Sequence, residues 1–241
     1  MAIALRYAAR SNVGLGVKSR NEDSAYAGPH LLVLADGMGG HAAGDVASSL
    51  VVGELVHLDG ESHGGDDSLQ LLAGSLHAAN LGLREAMEGN AELDGMGTTV
   101  VAMLRTGSKM ALANIGDSRG YLLREGGLRR LTRDHTLVQA LVEDGRVAAE
   151  DAETHPRRSL LMKALQTAGS GDPDIWTFKA KPGDRYLLCS DGLSGPVSEA
   201  TLRDVLDGGA EPAEVIPELI RLANEGGGPD NITCVVADVT A

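Results

Sequence analysis

The sequence is poor in cysteine and contains no long apolar run, and each absence excludes a class of protein. Only two cysteines occur, Cys189 and Cys234, both inside apolar runs, which is typical of buried free thiols and of a reducing, cytoplasmic setting. No apolar stretch reaches the ~18 residues of a membrane span, and the N-terminus lacks the apolar core of a signal peptide. We expect no membrane span in this chain, which could still be the cytosolic domain of a longer membrane-anchored protein.

Basic runs, linkers and internal repeats are also missing. The formal charge of −13 at pH 7 argues against nucleic acid as a partner, because phosphate backbones attract surfaces rich in lysine and arginine. The 241 residues, of which 43% are hydrophobic, suffice for one sizeable core, and no segment resembles a linker that would divide it. We expect a single domain over residues 1–241.

Acidic residues are present where apolar strands end. Asp36, Asp191 and Asp230 each stand between an apolar run and a glycine-bearing turn. One such aspartate is often only a turn residue, but two more acidic clusters, Asn21-Glu22-Asp23 and Gly116-Asp117-Ser118-Arg119, also interrupt strand-like runs. Carboxylates that are brought together repel each other unless cations neutralise them. The sequence therefore predicts a carboxylate site for divalent metal ions.

Apolar periodicity predicts strands and helices in alternating groups. The predicted strands are Leu5–Arg10, Ser24–Ala27, Leu31–Ala35, Thr98–Leu104, Lys109–Ile115, Gly120–Arg124, Leu128–Leu131, Ile175–Phe178, Tyr186–Ser190 and Ile232–Val239. The predicted helices are Ala43–Leu58, Leu69–Ala86, Glu199–Leu206 and Pro212–Asn224. Pro217 should kink the last helix or mark its true start. Asp59 to Asp67 is expected to be mobile, and Thr136 to Leu165 to be helical but irregular.

The spacing of these elements predicts an α+β fold. Short glycine-bearing turns between residues 98 and 131 indicate an antiparallel meander. Strand groups on both sides of helix pairs indicate an αββα sandwich, in which two antiparallel sheets pack face to face with helices outside. A parallel doubly wound sheet is the alternative, because Gly37-Met38-Gly39-Gly40-His41-Ala42 fits a dinucleotide fingerprint with Asp59 downstream. Asp36 argues against it, since it would lie beside a pyrophosphate.

Seven motifs in a fixed order resemble those of one enzyme family. They are Lys18-Ser19-Arg20-Asn21-Glu22-Asp23, Ala35-Asp36-Gly37-Met38-Gly39-Gly40-His41, Gly95-Met96-Gly97-Thr98-Thr99, Gly116-Asp117-Ser118-Arg119-Gly120-Tyr121, Thr132-Arg133-Asp134-His135-Thr136, Cys189-Ser190-Asp191-Gly192-Leu193-Ser194 and Gly228-Pro229-Asp230-Asn231-Ile232-Thr233. Together they resemble the metal-dependent Ser/Thr protein phosphatases of type 2C in their bacterial, actinobacterial-like form. The resemblance covers about residues 5 to 239, and the αββα sandwich is also that family's fold.

The resemblance implies a set of oxygen ligands. Asp36 would bridge two metal ions, with the Gly37 carbonyl on one of them, and Asp191 and Asp230 would complete the pair. The remaining implied ligands are Glu22 and Asp23 through water, and Asp117 with Asp191 at a third, weaker site that the carbonyl of Ser159 could assist. Oxygen ligands favour Mn²⁺ or Mg²⁺, and the seven histidines do not form a zinc site.

The resemblance also implies the reaction. Two metal ions would supply a bridging hydroxide that attacks phosphorus, without a covalent phosphoenzyme. Lys18 stands where the family has an arginine that holds the phosphate, and Arg20 could supply the missing fork. Met38 replaces the histidine with which animal members protonate the leaving group, and His41 is a candidate for that task. Thr98 and Thr99 are interpreted as packing residues beneath the site.

The sequence thus predicts a protein phosphatase that removes phosphate from serine and threonine and opposes bacterial Ser/Thr kinases in signalling. Its expected partners are phosphorylated proteins, including such kinases and their substrates, and the expected state is a monomer. We expect residues 136–165 to form a flap over the site that tunes substrate choice and metal exchange. The alternative is a catalytically inactive phosphoprotein-binding or scaffold module of the same fold, which loss of a bridging carboxylate would mark. Asp36, Asp191 and Asp230 are all present.

Overall fold

A computed structural model describes residues 3–16, 18–39, 43–60, 67–152, 154–166 and 172–241. Within these ranges the chain forms twelve strands in two sheets. The strands are β1 Ala4–Asn12, β2 Asp23–Ala27, β3 Leu31–Met38, β4 Gly97–Thr98, β5 Val100–Thr106, β6 Lys109–Ile115, β7 Arg119–Arg124, β8 Gly127–Arg130, β9 Leu165–Gln166, β10 Asp174–Lys179, β11 Arg185–Cys189 and β12 Ile232–Thr240.

The two sheets are antiparallel. One sheet has the order β1-β12-β11-β7-β8, and the other has the order β10-β6-β5-β3-β4-β9, with β2 beside β3. Every strand pair in the described part of the chain is antiparallel. The predicted α+β sandwich is confirmed, and the parallel doubly wound alternative is wrong.

The described residues form six α-helices. They are α1 Ala43–Leu55, α2 Ser68–Glu88, α3 Leu137–Glu143, α4 Asp191–Ser194, α5 Glu199–Leu206 and α6 Pro212–Glu225. Glu211 and Glu214 form a capping box at the start of α6, and Pro212 occupies its first turn, where no backbone donor is needed. Pro217 lies inside α6, so the expectation that it could mark the helix start is wrong.

Successive side chains of β3 contribute alternately to two layers of the core. Leu31 and Val33 belong to the cluster under α1 and α2, whereas Leu32 and Leu34 belong to the cluster between the two sheets. Successive strand residues point to opposite faces, so a central strand buried on both faces is apolar throughout. A third cluster joins the other sheet to α5 and α6. The sheets therefore form a rigid base for residues at the ends of their central strands.

The predicted meander is divided between the two sheets. β5 and β6 pair in one sheet, and β7 and β8 pair in the other. The chain changes sheets at Gly116, whose φ of +105° favours glycine. A Cβ on Gly116 would also lie 2.5 Å from Cγ2 of Thr99. This tight crossing carries the next residue, Asp117, to the edge where the two sheets meet.

Residues 136–165 contain α3 and a short 3₁₀ turn at Ala149–Asp151, followed by irregular backbone. An isolated antiparallel bridge joins Thr136 to Leu161, so the two ends of this segment lie side by side. Most of the stretch expected to be mobile, residues 61–66, lies outside the described residues. None of the helices in the described ranges is both long and apolar enough to cross a membrane.

Candidate active site

The three predicted metal-binding aspartates meet where both sheets end. Asp36 lies on β3 directly opposite Asp23 of β2, and β3 continues for two residues beyond Asp36 rather than ending there. Asp191 follows β11 and is the first residue of α4. Asp230 lies two residues before β12. The sandwich thus brings together carboxylates from both of its sheets.

These carboxylates line a cavity of about 460 Å³. Its lining includes most of the residues that the resemblance implies, namely Lys18, Glu22, Asp36, Gly37, Asp117, Ser159, Asp191 and Asp230. A larger cavity of about 910 Å³ lies under residues 136–159 and shares four of them, Asp117, Ser159, Asp191 and Asp230. The four shared residues form the boundary between the two cavities.

Two predicted site residues, Asp23 and Arg20, do not line the smaller cavity. Asp23 is buried behind the cavity, where its Oδ2 accepts a hydrogen bond of 2.9 Å from Ser190 Oγ. Arg20 is exposed, and its backbone carbonyl accepts a hydrogen bond from the side chain of Asn231. His41 lies outside the described residues.

Two threonines that the sequence assigns to packing also hold Asp36 in place. Thr99 Oγ1 accepts a hydrogen bond of 3.1 Å from the Asp36 amide, and Thr98 Oγ1 donates one of 2.9 Å to the Asp36 carbonyl. Thr99 Oγ1 also lies 2.7 Å from Ser118 Oγ. The available sequence signal was a pair of hydroxyl residues in an otherwise apolar strand.

Asn231 is a third residue whose role the sequence does not indicate. It is buried, and its Oδ1 accepts a hydrogen bond of 2.8 Å from the amide of Glu22. Its Nδ2 donates to the carbonyls of Val13 and Arg20 at 3.1 and 3.0 Å. One amide side chain therefore ties the loop that carries Lys18 and Glu22 to the start of β12.

Glycine allows the backbone segments of the site to approach closely. A Cβ on Gly37 would lie 2.0 Å from the Gly44 carbonyl oxygen, and a Cβ on Gly192 would lie 2.0 Å from the carbonyl oxygen of Asn231. The first contact packs α1 onto β3, and the second brings the Asp191 and Asp230 turns together. Any larger residue would separate these elements.

Burial and like charge disfavour ionisation in this cluster. Burial raises the pKa of Asp36 well above its usual range, and the charges of Asp23 and Asp191 add to the effect. Burial likewise raises the pKa of Asp23 and that of Asp117, each to about 7. The pKa of Asp191 is raised by burial and then by the charge of Asp230. The site is thus an electrostatically unfavourable cluster of carboxylates.

Lys18 is a cation inside this cluster. Its Nζ lies 2.7 Å from Glu22 Oε2 and 3.3 Å from Asp230 Oδ1. Burial by itself would lower the pKa of Lys18. The hydrogen bond with Glu22 and the charge of Asp230 together outweigh burial, so the pKa of Lys18 lies above its usual value. Lys18 is therefore charged and lies at the edge of the cavity.

The donor chemistry of the site fits hard divalent cations. All side chains offered by the cluster are oxygen donors, and Asp23 Oδ1 is buried without a hydrogen-bond partner. Among the residues that the structure describes, no three His, Cys, Asp or Glu side chains lie close enough together to hold an ion. The site therefore fits Mn²⁺ or Mg²⁺ by its oxygen donors and its negative charge, and not by a complete set of ligands at coordination distance.

Sequence comparison gives a family and several relatives. The family model described as protein phosphatase 2C matches residues 17–223. The serine/threonine protein phosphatase PstP of Mycobacterium tuberculosis is 53% identical over 239 residues, which are 99% of this chain and 46% of that protein. The serine/threonine phosphatase stp of Listeria welshimeri is 38% identical over 211 residues, covering 86% of this chain and 84% of that protein. The chain thus spans about half the length of PstP.

Solved structures agree with this result. The crystal structure of the M. tuberculosis phosphatase PstP/Ppp superimposes with a TM-score of 0.95 at 53% identity, covering 99% of this chain and all of that chain. A structure described as the catalytic domain of PstP in complex with two manganese ions gives a TM-score of 0.92 at 51% identity, with 99% and 100% coverage.

Proposed function

Because the chain belongs to the protein phosphatase 2C family, we propose that it is a metal-dependent phosphatase that hydrolyses phosphoserine and phosphothreonine in proteins. The observation that carries this proposal is the convergence of Asp36, Asp191 and Asp230 on one open cavity. Oxygen ligands on a rigid frame, next to a charged lysine, suit a phosphate ester better than an uncharged substrate.

Two core ions would be held by Asp36, Asp191, Asp230 and the Gly37 carbonyl, with Glu22 and Asp23 acting through water. The relative solved with two manganese ions supports Mn²⁺, and the hard oxygen donors would also accept Mg²⁺. When bound, such ions supply Lewis-acid chemistry and a water-derived nucleophile at neutral pH. Asp117, Asp191 and the Ser159 carbonyl are proposed to hold a third ion.

Lys18 and Arg20 are proposed to receive the substrate phosphate. Lys18 already lies on the cavity wall, and its flexible ammonium can leave Glu22 and Asp230 for a phosphate oxygen. Arg20 is exposed near by in the sequence and offers a planar fork for two oxygens. His41 is proposed to protonate the leaving alkoxide, a role that the neighbouring Met38 cannot fill.

We propose that residues 1–241 form one catalytic domain, in which residues 136–165 form a flap over the site. This segment covers the larger cavity and joins the smaller one through Ser159. Replacing it with the flap of a relative should change preference among phosphoproteins while hydrolysis of a small aryl phosphate stays nearly intact. Equal losses on both substrates would instead make the segment structural.

The proposed partners are phosphorylated proteins of a bacterial signalling system, among them Ser/Thr kinases and their substrates. The similarity to PstP and stp supports this class. The chain covers 46% of PstP, and we propose that this domain acts in the cytoplasm as a monomer.

A phosphopeptide panel tests the function directly. Purified protein is assayed for phosphate release from phosphoserine and phosphothreonine peptides, with Mn²⁺, with Mg²⁺ and with a chelator. We expect metal-dependent release that the chelator abolishes, since the carboxylates need cations to act. Tight phosphopeptide binding without any release would support the scaffold alternative. Substantial release in the chelator would contradict the metal-dependent mechanism.

A further inference from the structure

His135 connects three parts of the molecule, although none of the catalytic roles above uses it. It is buried, directly before residues 136–165. Its backbone amide donates a hydrogen bond of 2.9 Å to the Gly116 carbonyl. Its ring Nδ1 accepts one of 3.1 Å from the Gly116 amide. Both bonds fix Gly116, the residue directly before Asp117.

The other ring nitrogen points to β10. His135 Nε2 lies 3.1 Å from Asp174 Oδ2. Because Nδ1 accepts from an amide, the proton of the neutral ring is on Nε2, which donates to Asp174. Burial lowers the pKa of His135, which favours this neutral form. The side chain of Asp174 is 40% exposed, so water can replace it as the Nε2 partner.

The backbone of His135 also closes the base of the flap. Its carbonyl accepts a hydrogen bond of 2.8 Å from the Met162 amide. Two residues further, the Leu137 amide donates a hydrogen bond of 2.9 Å to the Leu160 carbonyl. Ser159 directly precedes Leu160. The start and the end of the flap are therefore tied together at His135, next to a residue that lines both cavities.

Gly116 transmits this constraint to the metal site. Its tight packing on Thr99 leaves little space for the turn to shift, and Thr99 accepts the hydrogen bond from the Asp36 amide. Partners that orient ligands in this indirect way commonly tune metal affinity. The ring of His135 thus acts on the turn that carries Asp117 without itself lining either cavity.

We propose that His135 is a positioning residue whose Nδ1 holds the Asp117 turn against the base of the flap, so that Asp117 and Ser159 stay together at the boundary of the two cavities. The part of this inference that concerns metal rests on the proposed function. The part that concerns the flap depends only on the hydrogen bonds of the ring and the backbone.

Two substitutions separate the ring nitrogens. In His135→Asn the side-chain oxygen can take the place of Nδ1 and accept from Gly116, but Asp174 is out of range. In His135→Gln the longer amide can approach Asp174, but the Gly116 amide loses its acceptor. Asp174→Ala is the matched control, because it removes the Nε2 partner and leaves the Gly116 bond unchanged.

Three measurements are made on each variant: direct Mn²⁺ binding followed by the spectroscopic signal of free Mn²⁺, hydrogen exchange of residues 137–160, and thermal midpoint. We expect His135→Gln to weaken the weakest Mn²⁺ site by about 10- to 100-fold and to speed exchange of the flap. His135→Asn and Asp174→Ala should remain close to the wild type. In an Asp117→Asn background, His135→Gln should have no further effect on Mn²⁺ binding.

Equal losses in the asparagine and glutamine variants would overturn the proposal, as would a glutamine variant with a lower thermal midpoint but unchanged Mn²⁺ binding and exchange. If His135→Gln does not fold, His135→Asn decides: wild-type binding supports the Nδ1 role, and lost binding refutes it. Failure of both variants to fold assigns the ring to stability alone. Neither binding nor exchange requires turnover, so an inactive wild type would refute the proposed phosphatase reaction without deciding this inference.

Discussion

Acidic residues at the two ends of β11 and β12 have opposite environments. At one end, Asp184 is almost fully buried and receives two hydrogen bonds from Arg124, at 2.6 and 2.7 Å. Asp238 is paired there with Arg185 in the same bidentate way. At the other end, burial and then the charge of Asp230 raise the pKa of Asp191. Lys18 Nζ lies 3.3 Å from Asp230 Oδ1, and the charges of Lys18, Arg119 and Arg158 only partly offset this rise.

This difference separates a stabilising pair from a functional cluster. A buried carboxylate that is bonded to a guanidinium keeps its charge at little cost, whereas carboxylates that face each other destabilise the fold until a cation arrives. We call the end at which Asp184 and Asp238 pair with arginines the satisfied end of the two strands. The end at which Asp191 and Asp230 lie is the unsatisfied end. Functional sites commonly break the rules that the rest of a fold obeys.

The largest expected effect is on activity at the unsatisfied end. Asp36→Asn should lower kcat/KM by at least about 1000-fold, as for loss of a central catalytic group. Its thermal midpoint without metal should stay equal or rise, because the amide removes a repelled charge. Phosphopeptide assays and thermal melts of the same preparation check both statements. A markedly less stable variant would mean that Asp36 also supports the fold.

The next effect concerns stability at the satisfied end. Asp184→Ala should lower the free energy of unfolding by about 3 kcal/mol, because it leaves the Arg124 guanidinium without its carboxylate partner. The Lys181 amide and the Tyr186 hydroxyl would lose their acceptor as well. Denaturant titration measures the loss, and kcat/KM per folded molecule should be unchanged. A large loss of kcat/KM would contradict the separation of the two ends.

A smaller effect is expected for the cation at the unsatisfied end. Lys18→Ala should raise KM by an amount that corresponds to ~1.5 to 3 kcal/mol, the value of a hydrogen bond to a charged group, with little change in metal affinity. Lys18→Arg should be tolerated, because the fork can engage two phosphate oxygens. Arg20→Ala on the same phosphopeptide is the control. An unchanged KM for Lys18→Ala and a large rise for Arg20→Ala would transfer the role to Arg20.

The smallest effect is the pH dependence of the stability of the protein after a chelator has removed its metal ions. The folded-state pKa of Asp23 and that of Asp117 are about 7, against 3.8 for a free carboxyl. The folded state therefore binds more protons between these values, and its stability should fall as pH rises from about 4 to about 7, by at most about 1.4 kcal/mol per pH unit for each proton. Thermal melts across this range measure the slope, which saturating Mn²⁺ should reduce. A chelated protein that gains stability over the range would show that other groups dominate.

Much of the fold could be predicted because local patterns specify it. β6 and α5 have the predicted bounds, since β6 is a nearly continuous apolar run and α5 carries apolar residues at helical spacing, each between polar turns. The turn at Gly116 was predicted as a hairpin, but the chain changes sheets there. Turn chemistry limits the backbone angles and does not say which sheet the next strand joins. That choice depends on how the whole core packs.

The candidate site shows the same division. The sequence by itself determined that carboxylates follow apolar strands and that glycines accompany them, because strand ends and turns are local features with local chemical signals. The tertiary structure decided that Asp23 lies opposite Asp36, and that Thr99, Asn231 and His135 hold the segments that carry the proposed ligands. Those hydrogen bonds join residues far apart in the chain, so no local pattern could contain them.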